Sequence, residues 1–421
     1  MRLVGTVSAS YQLMRALRQL PGPLVLASLG FISLGLPEGL LGVAWPSIRA
    51  TFGLPLDALG LLIAAFACGY FISSAASGRV IGRRGIGTVL SVSCLLTGTC
   101  LLGYSIAPSW PAMVGLGALL GVGAGTIDAG LNTYAAMAHG PRALNWMHAA
   151  FGLGAAAGPL IMTAILASGL AWTFGYALVA LMQLGLAAAY WLTRDAYTTA
   201  TAEVTPAPNA ASASASRAST RALIALPIAW LSLALFFVYV GVEAGAGQWS
   251  YSLLTLSRDT PAAVAGALLS AYWASLTLGR IVFGVLVTRT GPDRLLRGCM
   301  LLSVVASALI WFDIPLVSSF ALAVLGLSFA PVFPVLIAET PRRLGQAQTA
   351  NAVGLEVAAS VLGGAALPAL LGVLAARTSL EVVGPFLLAA CLALLVLHEV
   401  LIRFTCAEQP APTPVERVTS Y

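Results

Sequence analysis

Lysine is absent from the 421 residues, and charge of either sign is scarce at 9% of the chain. A soluble protein of this length carries about a quarter of its residues charged. That deficit excludes a large water-soluble core. The cysteines Cys68, Cys94, Cys100, Cys299, Cys391 and Cys406 show neither paired nor CxxC spacing. They read as small apolar residues or free thiols, so neither a disulfide framework nor a thiolate metal centre is expected. Histidine is limited to His139, His148 and His398, far apart in the chain, and no HExxH, GxSxG or GxxxxGK[ST] motif occurs. Zinc hydrolysis, a serine nucleophile and an ATP phosphate loop therefore lack their residues. No cofactor, no metal and no enzymatic activity are expected.

What the chain has instead is apolar length. Hydrophobic residues make up 59% of it, and the mean hydropathy is +0.92. A helix that crosses a bilayer needs about 20 apolar residues. Twelve segments qualify: 24–48, 56–81, 87–107, 111–137, 145–168, 172–193, 225–254, 262–287, 295–313, 317–338, 350–376 and 382–404. The expected fold is an all-α polytopic membrane protein. All 21 basic residues are arginine, and their placement orients the chain. With the N-terminus inside, only Arg49, Arg258 and Arg377 fall outside and Arg280 lies within a span; the rest are cytoplasmic. Both ends are thus expected in the cytoplasm of a cell whose inner membrane the chain spans. The net charge of +6 reflects this bias rather than a nucleic-acid partner.

The first stretch, MRLVGTVSASYQLMRALRQLPGP, is basic and has no small-residue cleavage site, so it reads as a retained cytoplasmic segment, 1–23. Residues 199–222, TATAEVTPAPNAASASASRASTRA, are Ala/Ser/Pro-rich with no apolar face and read as a flexible tether. The expected domains are 24–193 and 223–404, joined by a linker at 194–222 and followed by a tail at 405–421. The halves repeat. A shift of 206 residues lays Gly78, Arg83 and Gly85 on Gly284, Arg289 and Gly291, and Asn145 on Asn351. Glu38 lands one residue from Glu243, and Trp45 and Trp249 follow within seven residues. Duplicated six-helix bundles with a solute path between them are expected of rocking transporters.

At this point the sequence resembles a known family. GRVIGRRG at 78–85 resembles the loop signature G-x-x-x-D-R-x-G of the major facilitator superfamily, and TRTG at 288–291 resembles its worn second copy. Gly82 stands where that signature has aspartate, which leaves Arg83 without the usual loop charge. GAAAGP at 154–159 resembles the family's fifth-helix G-x-x-x-G-P motif. TIDAGLNTY (126–134), RALNWMHAAFG (142–152), GVEAGAGQW (241–249) and APVFPVLIAETPRR (330–343) resemble the fucose–galactose–gluconate proton symporter branch, the fucose permease-like proteins. The resemblance implies two pseudo-symmetric six-helix bundles whose first, fourth, seventh and tenth helices line a cavity. It implies one carboxylate on the first helix and one on the fourth for proton coupling and sugar contact, which fall here on Glu38 and Asp128. The two acid types are exchanged relative to the branch's best-known sugar symporter.

The residues argue the same way. A charged group at mid-bilayer costs at least ~2.5–3.5 kcal/mol, so each needs a reason. Glu38 lies roughly 21 Å into the first span and Asp128 roughly 13 Å from the cytoplasmic end of the fourth, at 1.5 Å per residue. A protonated acid is neutral and can pass through an occluded state, whereas an ionised one resists closure. Glu38, Asp128 and Glu243 are therefore the proton-coupling candidates. Asn132, one turn beyond Asp128, with Gln248, Trp249, Trp45, Tyr272 and Trp273, adds amides and aromatic faces for solute binding. Arg280 and Glu356 sit at matching depth and are expected to pair at an inner gate, where Arg83, Arg142, Asn145 and His148 also fall. Pro37 and Gly39 around Glu38, Pro331 and Pro334, and the GVGAG of the fourth span are expected to loosen their helices. The expectation is proton-coupled symport of a sugar or similar small polar solute by a monomer. The alternative is a proton-coupled exporter of amphiphilic compounds, whose pocket would be mainly apolar.

Overall fold

Apolar runs of this length have one local way to satisfy their backbone in lipid, the α-helix. The structure, a computed structural model, describes residues 22–138, 140–199, 223–314, 317–345 and 348–408. Twelve helices long and apolar enough to cross a membrane follow in order among them. In the first half these are α1 (Pro23–Phe52), α2 (Ala58–Arg84), α3 (Ile86–Ser105), α4 (Trp110–Ala138), α5 (Gly140–Ala167) and α6 (Thr173–Leu192). In the second they are α7 (Pro227–Ser252), α8 (Ala262–Thr290), α9 (Pro292–Phe312), α10, α11 (Thr349–Arg377) and α12 (Val383–Glu408). Helix α10 comes in two pieces, α10a (Val317–Phe329) and α10b (Val332–Leu344). All twelve expected spans are present, with ends shifted by a few residues. Most of the N-terminal segment, the linker and the tail lie outside the described residues.

The duplication read from the sequence is a duplication of packing. Helix α1 packs on α5, α2 on α4 and α3 on α6; in the same order α7 packs on α11, α8 on α10a and α9 on α12. Large apolar side chains such as Leu181, Val282 and Phe320 point outwards and are more than half exposed, as a lipid-facing belt requires.

Lipid tails are as apolar as leucine, so helices associate there through close backbone packing rather than hydrophobic burial. The α1–α5 seam illustrates this. Gly35 lies on the Phe151 carbonyl and Gly39 on that of Ala155, while Gly154 lies on Ile32 and Gly158 on Gly39 itself. A Cβ at any of the four would overlap backbone. This is what the GAAAGP motif does here: it lets α5 lie against the stretch of α1 that carries Glu38. Gly35→Val is expected to cost about 1–3 kcal/mol by overpacking. The check is the thermal unfolding midpoint in detergent, which should fall; an unchanged midpoint would mean the two helices separate freely.

The same packing corrects two expectations of loosened helices. Gly121 and Gly125 of GVGAG lie against the Phe66 and Tyr70 carbonyls, and α4 is unbroken. Helix α1 also runs unbroken through Pro37 and Pro46. Among the described residues only α10 breaks within a span, at Ala330–Pro331, and the Tyr239 hydroxyl donates to the freed Phe329 carbonyl at 3.1 Å.

The bundles meet along three seams. Helix α5 lies on α8, where the Ser270 hydroxyl donates to the Ala156 carbonyl at 2.7 Å. The other two, α1–α7 and α2–α11, close at the end of the bundles opposite the chain termini, here called the distal end. Gly42 lies on Gly247 and Gln248, Gly60 on Ala369, and Gly372 on Asp57. The second bundle is braced at both ends by ions. Distally, Arg258 binds Asp313 at 3.0 Å and Glu381 at 2.7 Å. Proximally, Arg342 binds Asp293 at 2.9 Å and Arg297 binds Glu399 at 2.8 Å. In the first bundle Arg83 is exposed and has no ion-pair partner among the described residues.

Candidate functional site

Between the bundles lies a cavity of about 310 Å³. Helix α1 contributes Ser33, Pro37 and Glu38, α2 contributes Phe66 and Tyr70, and α4 contributes Asp128. The second bundle closes it with Val240, Ala244 and Gln248 of α7 and Ser360 and Gly364 of α11. Most of the wall is apolar, so each polar group in it stands out.

The three acids occupy three different environments. Asp128 is held: Tyr70 donates its hydroxyl to Oδ2 at 2.7 Å and Asn132 donates Nδ2 to Oδ1 at 3.0 Å. Asn132, one turn further along α4, thus acts through Asp128. Glu243 is held by a cation: its Oε1 lies 3.9 Å from Nη2 of Arg280, with Tyr239 beside both. That pair is loose, since Oε2 of Glu243 and Nε of Arg280 are buried and have no other partner. Glu38 is the exception. It is half-buried, lines the cavity, and has neither cation nor hydrogen-bond donor in contact among the described residues. The Glu243–Arg280 pair is within electrostatic reach of it from the other bundle.

Other expectations are corrected. Arg280 pairs with Glu243, not Glu356. The Glu356 carboxylate instead accepts from the Ser232 hydroxyl at 2.5 Å and the Thr340 hydroxyl at 2.8 Å, tying α7, α10b and α11 together inside the second bundle. The wall aromatics are also misplaced by the sequence reading. Trp45 is fully buried in the first bundle with its ring 5.9 Å from Trp110. Trp249 donates Nε1 to the Pro368 carbonyl at 2.9 Å, and Tyr272 donates its hydroxyl to the Glu243 carbonyl at 2.8 Å. Trp273 packs its ring on Gly247. All four shape the walls from behind. Gln248 does line the cavity, with Oε1 unpartnered. His148 stacks edge-on against Phe31 at 5.2 Å and lies within electrostatic reach of Arg280. The side chains of Arg142 and Asn145 lie outside the described residues.

Two contributors escaped the sequence reading. Tyr70 begins a polar stripe with Ser73, Ser74 and Ser77 at helical spacing, which marks a face of α2 turned from lipid. Gln183, in α6, is a lone amide in an apolar run and gave the same weaker signal.

The loose Glu243–Arg280 contact yields a prediction. Breaking a buried pair by removing one partner costs up to about 3–5 kcal/mol, because the other charge stays uncompensated. Glu243→Arg and Arg280→Glu are each expected to depress transport, and the double exchange to recover most of it. Transport by the double variant no better than by either single one would separate the two residues.

Two like six-helix bundles around a membrane-depth cavity with acids on facing helices define a multi-pass membrane transporter. The family model of the Major Facilitator Superfamily matches residues 27–257 and 249–419, and the chain belongs to that superfamily. The fold is shared with solved transporters at low identity. The nucleoside transporter NupG aligns with a TM-score of 0.73 at 14% identity, over 89% of this chain and 98% of that one. The E. coli fucose:proton symporter FucP aligns at 0.61 and 15% identity, over 90% and 98%. A D-xylose-proton symporter aligns at 0.66 and 14% identity, over 88% and 96%. A Saccharomyces cerevisiae protein, Bypass of stop codon protein 6, is 24% identical over 176 residues, 38% of this chain and 34% of its own. The match thus spans about a third of that relative's length.

Proposed function

We propose that the chain is a proton-coupled secondary transporter that moves a small solute bearing hydrogen-bonding groups by alternating access, with Glu38 as the proton carrier. The observation that carries this reading is the solitary position of Glu38 on the cavity wall. An anion there has no cation or donor in contact to offset its desolvation, and taking up a proton removes the cost. Asp128, oriented by Tyr70 and Asn132, and Gln248 on the facing bundle supply acceptors and donors for the solute. Fold relatives described as fucose:proton and D-xylose-proton symporters fit the same role. The arginine bias puts both ends in the cytoplasm of an inner membrane. The closed distal seams then face outwards, and the cavity is read as inward-facing.

The test is uptake into proteoliposomes across a panel of sugars, nucleosides and amphiphilic cations, with and without an inward proton gradient. Gradient-dependent accumulation of a hydroxylated solute is expected. A second reading is favoured by the largely apolar wall: export of an amphiphilic compound in exchange for protons. It predicts loss of a preloaded amphiphile when protons are supplied from the opposite side, and no sugar accumulation.

A further inference from the structure

The charges on the cavity wall do not balance. Glu38 and Asp128 line it, and among the described residues no arginine or histidine does. Both acids belong to the first bundle and are half-buried, so each reaches the open space. Tyr70 is within electrostatic reach of both, which puts the two carboxylates on one side of the cavity. The facing wall carries no charge: Val240, Ala244, Val361 and Ala365 are apolar, and Gln248 and Ser360 are neutral. Two basic groups lie close by without lining the cavity. Arg280 is within reach of Glu38 but is committed to Glu243, 3.9 Å away, and those two charges cancel. His148 packs edge-on against Phe31.

Asp128 accepts at both oxygens, at 2.7 Å from the Tyr70 hydroxyl and at 3.0 Å from the Asn132 amide, the pattern of a charged carboxylate. Both donors are neutral. They orient the charge and do not cancel it, and each oxygen keeps a second lone pair turned to other partners. A proton on Glu38 therefore leaves one negative charge in the cavity without a counter-charge, and closing the bundles around it is costly.

We propose that the solute supplies the missing charge: it is a small hydroxylated molecule bearing one ammonium group, which binds Asp128 while the carbon skeleton lies against the apolar wall of the second bundle. The inference rests on the transport reading of the cavity and narrows the solute within it. A neutral hydroxyl also donates to a carboxylate, but it leaves the enclosed charge in place, whereas an ammonium removes it. The two acids then divide the work. Glu38 takes the proton, Asp128 takes the amine, and the loaded cavity is neutral when it closes.

The probes are glucosamine and galactosamine, their parent hexoses, and their N-acetyl forms, in which the amine is capped and neutral. Equilibrium binding to the purified full chain in detergent is measured at about pH 6, where an aliphatic amine is protonated. At least one of the two amines is expected to bind at least about tenfold more tightly than its parent hexose and its N-acetyl form. That preference should disappear in Asp128→Asn and survive in Glu38→Gln. A merely structural role for Asp128 would lower all affinities together and leave the ratio intact. If Asp128→Asn binds no probe, Asp128→Glu decides: a recovered amine preference supports the assignment, and its absence overturns it. Equal affinities in the wild type, an intact ratio in Asp128→Asn, or a ratio lost in Glu38→Gln also overturns it. Failure of the coupling reading is distinct: Glu38→Gln would then accumulate solute normally, whatever the amine preference.

Discussion

Glu38→Gln is expected to abolish gradient-driven accumulation and to leave binding and equilibrative exchange of the same solute largely intact. Glutamine keeps the size and hydrogen-bonding reach of a protonated glutamate but cannot release a proton. The variant should therefore equalise solute across the membrane and never concentrate it. The size of the effect follows from desolvation. Enclosing an uncompensated charge at mid-bilayer costs at least ~2.5–3.5 kcal/mol, which biases the occluded state towards protonated Glu38 by about a hundredfold. In the proposed mechanism that bias is what couples the proton to the solute. Asp128→Asn should fail differently. Asp128 accepts from both Tyr70 and Asn132, and an asparagine turns an N–H towards one of them. Solute binding and exchange should fall along with accumulation. Proteoliposome uptake and counterflow distinguish the two patterns, and full accumulation by Glu38→Gln would remove Glu38 from the proton path.

The contrast between the two acids shows what a sequence does and does not carry. Depth in the membrane is legible, because residue number along a helix converts directly to height. Glu38, Asp128 and Gln248 were found that way, each a polar group too costly to place at that height without a purpose. Which way a side chain faces is a second coordinate, and height says nothing about it. Arg280 and Glu356 share a height yet bond to different neighbours, and the partner of Arg280 is Glu243 on α7. Trp45, Trp249, Tyr272 and Trp273 sit at cavity height but point into bundle interiors. The stripe of Tyr70, Ser73, Ser74 and Ser77 could have supplied the missing angle for α2, because three polar residues at helical spacing after a tyrosine define a face. Glycine was misread for a related reason. Around Glu38 it signals flexibility if the helix stands alone, and close packing if another helix passes by. The partner that decides, α5, lies more than a hundred residues away in the chain.

A second large effect is expected at the distal seam. A Cβ added at Gly60 of α2 would lie 2.8 Å from the Cβ of Ala369 on α11. A disulfide needs about 3.5–4.5 Å between these atoms, a small outward shift. Gly60→Cys with Ala369→Cys should therefore cross-link under mild oxidation and hold the distal ends together. Alternating access requires that seam to part in every cycle, so uptake should stop on oxidation and return with a reductant. Cys94, Cys100, Cys299 and Cys391 are buried, but Cys68 is exposed on α2 eight residues from Gly60, so the variants are made in a Cys68→Ser background, where the single ones should be indifferent to both. Binding should survive the cross-link, because the cavity residues Glu38, Asp128 and Gln248 keep the arrangement seen here. Loss of transport with binding retained separates a trapped state from a damaged one. Continued uptake by fully cross-linked protein would mean that the solute crosses without the distal seam opening, and the rocking of two rigid bundles would have to be abandoned.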